Sequence, residues 1–231
     1  MNTRTPTLRN ILAAASLALL GACGSTPQPP DWQLEAKGSM ERAVAAYLEG
    51  NNRVEIAELQ RARGQLARTG RADLLATAEL LRCATRVASL VFEPCTGFEA
   101  LRADALEAQR AYADYLQGRL SPQGIALLPP LQRAAATGDT SAVLGAAEPL
   151  SQLVAAGVML QAGTATPTVI ARAIETASAQ GWRRPLLAWL GVQAQRAEQA
   201  GDPEEAARLR RRIALTQGSA PRAPDTGKTT P

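Results

Sequence analysis

Along the chain from Asp31 onward, apolar residues recur every three or four positions and charged residues fall between them. In Phe98, Leu101, Ala105, Ala108, Tyr112 and Tyr115 the gaps alternate between three and four, while Arg102, Asp104, Glu107, Arg110 and Asp114 lie off that stripe. This is the pattern of an amphipathic helix that buries one face. It returns in Ile56, Leu59, Ala62 and Leu66, in Leu74, Ala78, Leu81, Thr85 and Ala88, and in Ile170, Ile174 and Ala177. No convincing two-residue alternation marks a strand.

Helix starts are legible because a side-chain oxygen can satisfy the free N–H groups of a first turn, and proline lacks one of those groups. Asn52-x-x-Glu55, Thr96-x-x-Glu99 and Asp202-Pro203-Glu204-Glu205 fit the capping box, and Ser121-Pro122 and Thr166-Pro167 add two cap-then-proline starts. Gly50, Gly70, Gly118, Gly138, Gly163, Gly181 and Gly201 supply the stops. Together these signals predict helices over 31–49, 52–69, 71–91, 97–117, 122–136, 139–162, 167–180, 183–200 and 203–216. Pro129-Pro130 should kink or split the fifth, and Pro149 should break the sixth. The fold class is all-α, with antiparallel helix pairs forming a solenoid or an irregular helical bundle.

The first residues have a different character. Arg4 and Arg9 precede an uncharged run over 11–20, the layout of a secretory signal peptide. That run is too short to span a bilayer, which takes about 20 residues as a helix. Its ending, Leu20-Gly21-Ala22-Cys23, resembles the lipobox of bacterial lipoproteins. The resemblance implies cleavage before Cys23 and acylation of that cysteine. An ordinary signal peptide cut after Ala22 is the alternative. The resemblance implies three acyl chains, a diacylglyceryl group on the sulfur and one acyl group on the new amino terminus, which exceed the two signals that stable anchoring requires. Gly24 stands where an aspartate would, by the sorting rule of enteric bacteria, mark retention in the inner membrane. The expected location is therefore the periplasmic face of the outer membrane. Residues 1–22 form the signal peptide and 23–30 the lipidated cysteine and a proline-rich tether. The helical domain covers 31–216, and 217–231, without an apolar stripe, is expected to be disordered.

Composition narrows the chemistry. Lys37 and Lys228 are the only lysines, and the chain has no histidine, so histidine acid–base work, Ser-His-Asp triads and histidine-ligated metals are excluded. The formal charge of +4 includes Arg4 and Arg9 of the signal segment and makes no nucleic-acid footprint. No cofactor or metal is expected.

Leu190, Ala194 and Ala197, then Gly201-Asp202, Ala206 and Ile213 resemble a degenerate tetratricopeptide (TPR) repeat. Alanine stands where that family has tyrosine, and the usual closing proline is absent. Gly50-Asn51 and Gly138-Asp139 echo the turn. The nearest parallel is with TPR-like outer-membrane lipoproteins of Gram-negative bacteria, a resemblance that implies a scaffold and names no ligand.

Tyr47, Tyr112 and Tyr115 could line a concave peptide-binding face, although core packing explains them at least as well. Trp182, Arg183, Arg184, Trp189 and Arg196, with Arg208 and Arg211 beyond, form a candidate binding patch for an anionic envelope lipid, a cell-wall ligand or a protein partner. A solvated face with two packed tryptophans is the plainer reading. Glu93, Glu99, Asp104 and Glu107 offer carboxylates, but no spacing picks out a catalytic pair. The chain therefore reads as a non-enzymatic, lipid-anchored scaffold for another envelope protein, with lipid or cell-wall ligand binding as the alternative.

With Cys23 consumed by lipid, Cys83 and Cys95 remain as an even pair in an oxidising compartment, and a disulfide is expected, with buried free thiols as the competing state. The bond is possible only if the third helix ends by about Val91, so that the chain can fold back over Val87 and Leu90.

Overall fold

The computed structural model describes residues 29–218, so the expected signal segment, Cys23, most of the expected tether and nearly all of the expected tail lie outside it. Every regular element among the described residues is a helix: α1 Asp31–Glu49, α2 Asn52–Ala67, α3 Ala72–Ala88, α4 Thr96–Glu99, α5 Glu107–Leu116, α6 Pro130–Ala136, α7 Thr140–Leu144, α8 Pro149–Gln161, α9 Pro167–Ala179, α10 Arg183–Gln199 and α11 Pro203–Thr216. Short 3-10 turns cover Arg102–Asp104 and Pro122–Leu127. No described helix is long and apolar enough to cross a membrane.

The core is organised around α8, whose residues 152–159 are all buried. A helix apolar around its whole girth has to be covered on every side, and α3, α6 and α9 pack directly against it. At its crossing with α3 the backbones nearly touch. A β-carbon on Gly157 would stand 2.5 Å from the Val87 carbonyl oxygen. Contacts between helices distant in sequence, α3 with α8 and α1 with α10, close this part as a bundle. The succession α9, α10, α11 is a run of packed neighbours, as antiparallel pairs require.

The α1–α2 hairpin stands apart from this core. Ala36, Met40, Ala43, Leu59, Ala62 and Leu66 form a separate apolar cluster with Ala78 of α3. The hairpin therefore shares no buried apolar centre with α8.

Most predicted ends hold. Each of the seven glycine stops has positive φ, and the Ser121, Thr166 and Asp202 side chains each accept a first-turn N–H. Pro129-Pro130 and Pro149 interrupt the chain where expected.

Three local expectations are corrected. The span 97–117 is not one helix but α4, a 3-10 turn and α5. Ala108 of the predicted stripe is exposed, and the joint instead allows Phe98 and Tyr115, on separate elements, both to be fully buried. Asn51, rather than Asn52, caps α2 by accepting the Val54 N–H. Cys95, rather than Thr96, occupies the N-cap of α4, with no side-chain cap.

Candidate functional site

The last turn of α1, the face of α2 from Asn52 to Arg63, the outer face of α3 with the following segment 91–97, and the start of α10 come together on one side of the molecule. Between them lies an open groove of about 550 Å³, lined by Tyr47, Asn52, Glu55, Ile56, Leu59, Arg63, Arg82, Arg86, Val91, Glu93, Gly97 and Arg184 among others.

Helix electrostatics explain why Arg184 comes here. The negative end of a helix attracts cations and the positive end repels them, yet α1 has no basic residue in its last turn and α10 has no acidic residue in its first. Arg184, leaving the unfavourable start of α10, donates its Nε–H to the Tyr47 carbonyl at 2.8 Å and its terminal N–H to Asn52 Oδ1. The two arginines of the groove hold one ring. Arg86 Cζ lies 3.9 Å and Arg184 Cζ 4.1 Å from the Tyr47 ring centroid, both within cation–π range. Burial raises the Tyr47 phenol pKa, while the two arginines pull against that rise.

Beneath the ring, Arg86 donates to Glu55 in a buried ion pair and lies 3.7 Å from Glu93. Arg63 is matched in the same way, donating through Nε at 2.5 Å to Glu79, which is buried behind the groove. The other Glu79 oxygen is wedged against Gly97, where a β-carbon would meet it at 2.1 Å. Arg82 has no side-chain hydrogen bond or ion pair among the described residues. Ile56 and Val91, both aliphatic, are 55% and 39% exposed on the groove walls.

A disulfide ties down one wall. Cys83 and Cys95 are bonded, with α-carbons 5.8 Å apart, and α3 ends at Ala88 as that bond requires. Leu90 makes the turn with φ of 59°, placing the Leu90 and Val91 N–H groups on the Val87 and Arg86 carbonyls. Closing a loop of this size contributes about 2–3 kcal/mol on a chain-entropy model. The segment carrying Val91, Glu93 and Gly97 is thereby held beside α3.

The residues of the predicted C-terminal patch do not come together. Trp189 is fully buried and donates its indole N–H to the Ala88 carbonyl at 3.1 Å. Trp182 is half-buried and packs against the same core. Arg184 belongs to the groove, and Arg183 lies against Gly50. Arg208 pairs with Glu205, while Arg196 and Arg211 are exposed on other turns. Of the three tyrosines, Tyr47 and Tyr115 are buried and Tyr112, half-buried, stacks on Tyr115 at 5.9 Å.

The carboxylates with altered acidity are held ionised. Glu99 is lowered to about 2, chiefly by hydrogen bonds from Arg102, and Glu58 is lowered chiefly by Arg42. No group of three or more potential ligands suited to a metal ion occurs among the described residues.

Arg86 and Arg82 went unremarked in the sequence, although Arg86 is a charge inside the buried run 83–89 and needs a partner there. Ile56 sits on the predicted buried stripe, yet it is exposed. No family model, curated protein or solved structure matches this chain.

Proposed function

We propose that this protein is a non-enzymatic lipoprotein, anchored through acylated Cys23 at the periplasmic face of the outer membrane, whose helical body docks another envelope protein. The groove carries this reading: cations and exposed aliphatic side chains, braced by a disulfide and buried ion pairs, form a recognition surface. Leu20-Gly21-Ala22-Cys23 supports the anchor. The packed succession α9, α10, α11 supports TPR-like pairing in the C-terminal part. The ionised, arginine-paired state of Glu99 and Glu58 suits structural roles better than acid–base ones.

The test is fractionation combined with crosslinking in intact cells. Wild-type protein should stay with membranes after a high-salt wash and Cys23→Ser should not. A photo-crosslinking residue at Ile56 should capture a discrete protein. A Cys23→Ser variant still retained by membranes would refute the anchor, and adducts of lipid or glycan alone would favour the envelope-ligand alternative.

A further inference from the structure

We infer that the groove recognises an extended, acidic segment of a protein partner, its carboxylates read by Arg82 and Arg184 and its apolar side chains seated against Ile56 and Val91. The inference deepens the docking reading above and rests on it. Charge pairing within the groove is uneven. Arg63 is neutralised by Glu79 and Arg86 by Glu55, and Glu93, 3.7 Å from Arg86, adds one further carboxylate, so Arg82 and Arg184 leave the groove with a net positive charge. Arg184 bonds only to neutral oxygens, and Arg82 has no side-chain partner among the described residues. Both are half-buried, so a carboxylate reaching them meets guanidinium groups already partly stripped of water, where charge-assisted hydrogen bonds are strongest. Arg184 is also positioned in advance by the Tyr47 ring and carbonyl, which lowers the ordering cost of binding.

The exposed aliphatic residues indicate a peptide rather than a free anion. Ile56 and Val91 line the same cavity as Arg82 and Arg184, and a peptide that carries both carboxylates and apolar side chains meets both kinds of contact, whereas a free anion meets only the cations. The vesicle arm of the test below separates a protein carboxylate from a lipid headgroup as the source of the anion.

The test uses the chain from residue 23 onward carrying Cys23→Ser, which removes the lipid, purified with its Cys83–Cys95 disulfide intact. Three probes are compared: a labelled short peptide of alternating glutamate and leucine, the same peptide with glutamine for glutamate, and phosphatidylglycerol vesicles. The glutamate peptide should bind, weaken with added salt, and lose about tenfold in affinity in Arg82→Gln, as expected for one charge-assisted hydrogen bond. Among the described residues the Arg82 side chain has no hydrogen bond or ion pair, so Arg82→Gln should melt within about 0.5 kcal/mol of the wild type. Arg184→Gln, checked for retained helicity, should weaken the same peptide. Equal binding of the two peptides, no binding, unchanged affinity in Arg82→Gln, or binding to vesicles alone would each overturn the inference. The assay contains no anchor, so its failure leaves the Cys23 result standing, and failure of anchoring leaves the peptide result standing.

Discussion

Gly157 and Gly191 both lie inside helices and carry the same intrinsic penalty there, but their surroundings reverse the sign of a substitution. A methyl group on Gly157 meets the Val87 backbone, which cannot move without separating α3 from α8. On Gly191 it meets nothing within 4 Å. Gly157→Ala should therefore cost about 1–3 kcal/mol through overpacking, whereas Gly191→Ala should add about 0.5–1 kcal/mol through helix propensity. Urea melts of the two variants are the check, and equal midpoints would show that the α3–α8 crossing is not tight. Leu90 shows the same rule at another position. A leucine in the left-handed region costs about 1–2 kcal/mol, and this one is offset by the packing of its side chain on the main core.

The joint that divides the predicted 97–117 helix is closed by charge. Arg102 donates to Glu99 at 2.6 Å and to Asp114 of α5 at 2.8 Å, so one guanidinium spans the break. Its hydrogen bonds hold the Glu99 carboxyl at about 2, below its ordinary 4.5. A lowered carboxyl pKa means that the folded state binds its proton less readily than the unfolded chain. The resulting stability is fully present above pH 4.5 and is lost as pH falls towards about 2. Because Glu99 is about a third exposed, solvent screening reduces the contribution to about 1 kcal/mol. Glu99→Gln should flatten the acid limb of the stability profile over that interval. An acid limb identical to the wild type would mean that the pair does not hold the joint.

At the scale of the molecule, the α1–α2 hairpin is the element most separable from the rest. Its apolar cluster is separate from the one around α8 and meets the main body through Ala78, Leu74, Leu75 and Leu81 of α3, and its polar ties include the buried Glu55–Arg86 pair and the Arg184 hydrogen bonds to Tyr47 and Asn52. Units bound in this way open at lower free energy than the core around them. Native-state hydrogen exchange should show α1 and α2 amides opening before those of α8. Glu55→Gln, which removes the charge opposite Arg86, should lower the hairpin's opening energy by a further amount of about 1–3 kcal/mol. Exchange of α2 and α8 with one common free energy would show a single cooperative unit. Since the groove lies between this hairpin and α3, its shape depends on the same polar and apolar ties.

Local chemistry was legible in the amino-acid sequence alone. The all-helical class, the glycine stops, the Thr166 and Asp202 caps, the proline breaks and the Cys83–Cys95 bond each follow from interactions spanning at most about a dozen residues. The candidate site was legible only in fragments. Tyr47 read as a core residue, Glu55 as part of a cap and Arg184 as part of a C-terminal patch. Arg184 and the Tyr47 carbonyl it binds are 137 positions apart, and no periodicity encodes such a pairing. Tertiary packing also decided the fate of Trp189, whose place on an amphipathic helix left open whether its indole N–H would meet water or the Ala88 carbonyl. It likewise divided the 97–117 stripe, because burying both Phe98 and Tyr115 outweighed continuing one helix. Sequence period specifies which face of a helix seeks cover, but which helix covers it, and which charges are left facing a groove, depends on the packing of all of them together.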